Sequence, residues 1–198
     1  MFDLIKEAKE NKHGVVFRDY QVPEITWEDL LTFIFKESQK NNPSLIEKAE
    51  RYPDFIRCVG NIQVQDGLWL APQTSKIFDE FNGVKELLYK LNDSKENQGC
   101  GLYKQESHDC DLDWHYQGIR MSLSDRFVGD HHDPHDIFYW QIVGTSFWRI
   151  DNDITYELKP GDMLYLPLEN SHAVWCEGPR AGLLIDNWSN GNEQHQES

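Results

Sequence analysis

The chain has 198 residues, 39 % of them apolar and 13 % aromatic, enough to bury one core with a helical elaboration. Its 19 basic and 34 acidic residues leave a formal charge of -15, which argues against a nucleic-acid backbone or an anionic membrane as partner, because no local basic patch overrides the average. No apolar stretch has membrane-spanning length, and the four cysteines show no CxxC spacing and no dense disulfide framework.

In chain order, Phe2 to Lys12 reads as a short charged helix and GVVFRDYQVP as a strand ended by Pro23. The start MFDLIKEAKE lacks the apolar run of a secretion signal, so reduced thiols in a cytoplasm are expected. Thr26 stands at an N-cap position three residues before Asp29, and Leu30, Leu31, Ile34 and Phe35 follow at helical spacing. That apolar helix can cover a sheet or serve as the interface of a homodimer. Further helices are expected over Ser44 to Phe55 and Lys76 to Leu91, with GNIQVQDGLWL as a hairpin between them. Cys100 and Cys110 bracket a polar loop and would bridge only in an oxidising compartment.

From about residue 92 the texture changes. The polar break NDSKENQGCG is followed by short strands: Tyr116 to Leu123, Ile137 to Ile142, Phe147 to Ile150, Ile154 to Leu158, Met163 to Leu166, Ala173 to Cys176 and Ala181 to Ile185. Their separators, among them HDP, VGT, DND and KPGD, are rich in turn formers. Seven such strands with no helix between them predict an antiparallel sandwich or barrel. The expected organisation is a helical extension over 1–95 with a few strands packing on the barrel, a β core over 96–190, and a disordered tail over 191–198.

Six of the eight histidines lie from position 108 to position 172, three of them within GDHHDPHD. Side chains two apart in an extended segment share a face, so His131 and Asp133 can point at one ion while His132 points away. A third ligand from a neighbouring strand would complete a set of two histidines and one carboxylate, which leaves open positions on iron. His172, directly after the turn LENS, is the natural third member, and His135 competes with it. The plainer reading of HHDPHD is a polar surface turn, and a lone histidine such as His172 is more often structural.

HHDPHDIFYWQIVGTSFWRI resembles the first metal motif of the cupin-fold, Jumonji-C-type 2-oxoglutarate oxygenases: a histidine, any residue, an acid, a spacer, an aromatic, then Q-x-x-G and a tryptophan. Here these fall on His131, Asp133, Phe138, Gln141, Gly144 and Trp148. LKPGDMLYLPLENSHAVW resembles the second motif, which runs into the distal histidine at His172, and LLIDNWSNG resembles the closing strand with its tryptophan at Trp188. The resemblance covers roughly residues 115 to 190. It implies a mainly β double-stranded β-helix with Fe(II) held by His131, Asp133 and His172. It also implies 2-oxoglutarate as chelating co-substrate and an oxidative decarboxylation that drives hydroxylation of a nearby C–H bond.

The sequence departs from the family in one respect. The family commonly places a lysine or arginine fifteen residues after the first histidine, to bind the far carboxylate of 2-oxoglutarate, and that position is Ser146. Arg149, three residues on, should face the other way in a strand. Other oxygenases of this barrel class carry the cation on the last strand, where Arg180 stands eight residues beyond His172. Arg120 is the second candidate, because in GIRMSLS the apolar Ile119, Met121 and Leu123 leave Arg120, Ser122 and Ser124 on the opposite face. A surface arginine at a turn and a solvated strand face are the plainer readings of the two. Trp114, Tyr116, Phe138, Trp140, Trp148 and Trp175 are more often core than pocket wall, and Tyr139 and Gln141, sharing a face with Ile137, can each offer a polar group to a ligand.

Three functions follow as expectations. The first is an Fe(II)- and 2-oxoglutarate-dependent hydroxylase acting on a protein side chain or small metabolite. The second, favoured by Ser146, is a cupin metalloenzyme that does not use 2-oxoglutarate, such as a direct-substrate dioxygenase or an isomerase. The third is a non-catalytic cupin that binds a small molecule or a partner. The acidic surface favours a cationic or neutral substrate over an anionic polymer.

Overall fold

The computed structural model describes residues 2–20, 24–40, 56–59, 62–65, 68–72, 114–133, 136–151, 154–168 and 170–187. The helices expected over Ser44 to Phe55 and Lys76 to Leu91, the break near residue 92, Cys100, Cys110, His135, Trp188 and the tail lie outside those residues.

Two helices precede most of the strands. Helix α1 (Phe2–Asn11) places Asp3 in its first turn and Lys9 in its last, matching the helix dipole at each end. It closes at Lys12, whose φ of 51° is a left-handed C-terminal stop. Helix α2 (Trp27–Ser38) begins with a full capping box: the Asp29 N–H donates to the Thr26 hydroxyl, and the Thr26 N–H donates to the Asp29 carboxylate. It buries Leu30, Phe33 and Ile34. The same helix leaves Leu31 48 % and Phe35 66 % exposed, so only part of its apolar surface covers the core.

The strands are β1 (Val15–Phe17), β2 (Ile56–Val59), β3 (Ile62–Gln65), β4 (Leu68–Pro72), β5 (Trp114–Ser122), β6 (Arg126–His131), β7 (Asp136–Val143), β8 (Ser146–Ile150), β9 (Ile154–Leu158), β10 (Met163–Leu166), β11 (His172–Cys176) and β12 (Arg180–Asn187). They form an eight-stranded sheet, ordered β1-β10-β7-β12-β5-β4-β3-β2, and a four-stranded sheet, ordered β6-β11-β8-β9. All pairings are antiparallel. From β5 to β12 the chain crosses repeatedly between the sheets and contributes four strands to each. This is the double-stranded β-helix, or jelly roll. Strand β1 extends the larger sheet beyond β10, and the β2-β3-β4 meander, whose β3–β4 pair is the hairpin expected within GNIQVQDGLWL, extends it beyond β5.

Two apolar layers follow from this arrangement. Between the sheets lie Ile137, Tyr139, Trp148, Ile150, Leu158, Leu164, Leu166 and Val174. On the outer face of the larger sheet, Phe138, Trp140, Met163, Tyr165, Leu183 and Ile185 form one cluster with Ala8, Leu30, Phe33 and Ile34 of the helices. Strand β7 serves both layers, which explains why DIFYWQIV is nearly continuously apolar rather than alternating.

Strand β6 is the eighth barrel strand, beyond the seven anticipated. Its RFVGDH sequence is largely polar and contains a glycine, and none of its residues is buried, so neither periodicity nor composition marks it. Pairing with β11 makes it a strand.

Candidate metal centre

The H-x-D pair straddles the end of β6: His131 is its last residue and Asp133 lies in the loop beyond it. His172 is the first residue of β11 and the direct cross-strand partner of His131. Paired antiparallel residues project to the same face, and the two imidazole centroids are 4.2 Å apart. Asp133 Oδ2 lies 3.6 Å from His172 Nε2. One donor atom from each of His131, Asp133 and His172 lies within 4.8 Å of the others, a span that one ion closes with small side-chain rotations.

The ring orientations suit ligation. His131 Nδ1 sits 2.8 Å from the Gly129 carbonyl oxygen and His172 Nδ1 sits 3.1 Å from that of Asn170. A carbonyl oxygen only accepts, so each Nδ1 carries the proton and each Nε2 keeps its lone pair for a metal. His172 is 2 % exposed. Burial first, with the neighbouring His131 and His132, holds its pKa below the usual value against the opposing pull of the Asn170 carbonyl and Asp133, which favours the neutral ligating form.

Deeper in the barrel, Trp148 stacks on His172 at 5.5 Å and lies 4.7 Å from the Tyr139 ring. The Tyr139 hydroxyl accepts a 2.5 Å hydrogen bond from Arg180 Nη1. Arg180 is 3 % exposed, so the plainer reading of it as a surface arginine at a turn is overturned. Burial raises the Tyr139 pKa, while the charges of Arg180 and Arg120 oppose that rise, so both candidate arginines act on this one hydroxyl. Arg180 also faces Ser122 across the β5–β12 pair. Arg180 Nε and Ser122 Oγ are buried and have no hydrogen-bond partner.

The Q-x-x-G residues build this end of the barrel. Gln141 Nε2 donates to the carbonyls of Val143, Gly144 and Ala181, at 2.8, 3.1 and 3.3 Å. A Cβ on Gly144 would lie 2.1 Å from the Pro179 carbonyl oxygen, and its φ of 70° is left-handed as well. Only glycine lets the turn before Arg180 pass so close. Ser146 is fully occupied: its hydroxyl donates to Gln141 Oε1 at 2.6 Å and accepts from Trp148 Nε1 at 3.0 Å. Arg149 points outward, as its strand parity requires, and Nη2 holds the Asp130 carboxylate at 2.9 and 3.0 Å.

Of the six aromatics singled out, Phe138 and Trp140 belong to the outer layer and Trp148 to the inner one. Trp175 stacks on Phe147 at 5.5 Å and lines an open depression with Arg126, Phe127 and Arg149. The side chains of Trp114 and Tyr116 lie outside the described residues. Cys176 is buried and free. Among the described residues, no helix is long and apolar enough to cross a membrane.

No protein-family profile and no curated protein sequence matches the chain. Among solved structures, the Escherichia coli ribosomal oxygenase YcfD in complex with cobalt and 2-oxoglutarate aligns over 94 % of this chain and 51 % of its own, with a TM-score of 0.58 and 15 % identity. Its complex with cobalt and succinic acid gives the same values. A cupin superfamily protein from Desulfitobacterium hafniense shares 23 % identity over 37 % of this chain and 67 % of its own, with a TM-score of 0.35. The chain thus spans about half the length of YcfD. The likeness is one of architecture: this chain is a double-stranded β-helix whose fold is similar to that of the ribosomal oxygenase YcfD.

Proposed function

We propose that the protein is a non-haem Fe(II)- and 2-oxoglutarate-dependent oxygenase that hydroxylates a protein side chain or a small metabolite. The observation that carries this reading is the convergence of His131, Asp133 and His172, with both Nδ1 atoms committed to backbone carbonyls. Two neutral imidazoles and one carboxylate suit a divalent ion that must keep open positions for other ligands. Fe(II) with the keto acid bound at such a set supplies oxygen activation.

The chain's own residues account for the rest. Trp148 covers one face of His172 and limits the ring's freedom. Arg180, fixed by Tyr139, offers a buried charge with an unpaired Nε, beside the equally unpaired Ser122 hydroxyl. A buried cation and hydroxyl left open in this way fit a carboxylate. The far carboxylate of 2-oxoglutarate is assigned to Arg180 and Ser122, with Arg120 beside them, in place of the cation that Ser146 does not supply. The acidic composition favours a cationic or neutral substrate.

Ser146 supports a second reading, a cupin metalloenzyme without 2-oxoglutarate. Fe(II) titration with measurement of succinate formed from 2-oxoglutarate separates the two, with His131→Ala as control. Turnover in the wild type alone is expected. Tight iron binding with neither keto-acid binding nor turnover would reject the first reading and favour the second. Asp133→Ala should weaken metal binding at least about tenfold, since it removes the set's only anion. Unchanged metal content would move the site elsewhere.

A further inference from the structure

The segments that carry Asp133 and His172 are joined by side chains that touch neither of the candidate ligands' donor atoms. Asp136, three residues after Asp133 and buried at the start of β7, accepts from the Leu168 N–H at 2.8 Å and from the Tyr165 hydroxyl at 3.1 Å. It thereby ties the β7 end of the barrel to the loop that leads into His172. Lys9 of α1 completes the arrangement, with Nζ 3.0 Å from Asp136 Oδ2.

Asn170 is held in the same way. Its carbonyl receives His172 Nδ1 at 3.1 Å. Its side-chain Nδ2 donates to the Lys12 carbonyl at 2.8 Å and to Asp151 Oδ2 at 2.6 Å. Both partners are acceptors, which fixes the orientation of the amide. Asp151 in turn accepts the Ser171 N–H at 3.1 Å, and its own N–H donates to the Ser171 carbonyl at 2.8 Å. The left-handed conformation of Lys12 ends α1 beside this loop. One short helix therefore reaches the approaches to two candidate ligands, through Lys9 to Asp136 and through the Lys12 carbonyl to Asn170.

We propose that Asn170 is a positioning residue of the metal centre and that the end of α1 is its brace. Asn170 aims the carbonyl that sets the tautomer and direction of His172, and α1 holds Asn170 and Asp136 where the donor set closes. Groups that orient a metal-ligating histidine commonly govern affinity without touching the metal. This inference rests on the metal reading above.

Titration of the full chain with Co(II), followed by visible absorption and calorimetry, tests it without reference to turnover. Asn170→Ala should bind Co(II) about tenfold more weakly and show an altered cobalt spectrum. Lys9→Met, which keeps an aliphatic stem, should weaken binding about two- to threefold and decides the matter if Asn170→Ala fails to fold. Arg18→Met is the control. It removes another ion pair of the N-terminal segment, with Asp162 at 2.6 Å, and should lower thermal stability while leaving Co(II) affinity unchanged. Wild-type affinity and spectrum in Lys9→Met and in a folded Asn170→Ala would overturn the brace. So would an equal loss of affinity in Arg18→Met, which would mark the effect as general destabilisation. A wild type that binds no Co(II) would overturn the metal reading itself, and the brace with it.

Discussion

Arg180 and Ser122 face each other across the β5–β12 pair, both buried, each with a polar atom that no other group satisfies. Among the described residues no carboxylate pairs with Arg180, whose Nη1 donates instead to the neutral Tyr139 hydroxyl. A buried arginine without an anion costs stability, and a well-packed apolar replacement commonly restores it.

Arg180→Met should therefore abolish keto-acid binding and yet raise the melting temperature of the ligand-free protein, by about 2 to 4 °C for each kcal/mol recovered. In the wild type, 2-oxoglutarate with Mn(II) should raise the melting temperature, and in the variant it should not. Differential scanning fluorimetry reads both. A lower melting temperature in Arg180→Met would mean that the arginine is structural.

Gly182 gives Tyr139 its space. A Cβ there would come within 2.2 Å of the Tyr139 ring and hydroxyl. Gly182→Ala should cost about 1 to 3 kcal/mol of stability through overpacking, and much less in a Tyr139→Val background, because the two sites share one space. Urea unfolding of the four-member cycle measures the coupling. Additive losses would show that the alanine is accommodated some other way.

The Asp162 carboxyl anchors the segment after β1. Burial acts to raise its pKa, but hydrogen bonds from the Lys159 and Asp19 N–H groups and from Arg18 outweigh it, so the pKa is held below the usual 3.8. A depressed carboxyl pKa contributes stability that is fully present above the unfolded value and is lost as pH falls through the folded one. Asp162→Asn should accordingly be less stable than the wild type at pH 7, with the gap narrowing below about pH 4. Urea midpoints at both pH values check this, and a gap independent of pH would remove the carboxylate from the acid response.

The features legible from the sequence are those that depend on neighbours in the chain. Short strand-forming runs between turn-forming separators located seven of the eight barrel strands, the Thr26–Asp29 spacing marked the capping box, and the alternation in GIRMSLS separated Arg120 and Ser122 from Ile119 and Met121. The H-x-D spacing brought His131 and Asp133 forward together, although Asp133 is set by a loop and not by strand parity.

What only the tertiary structure decided is which distant residues meet. Cross-strand register set His172 opposite His131 and Ser122 opposite Arg180. It also made a strand of RFVGDH, whose own pattern is too polar to announce one. The tie between Asn170 and the end of α1 spans 158 positions, and neither residue type is unusual where it stands. Periodicity and motif spacing report on what a segment can become. The partners of a buried donor or charge are set by the closing of the sheets, and that closing separates a surface arginine from a buried one such as Arg180.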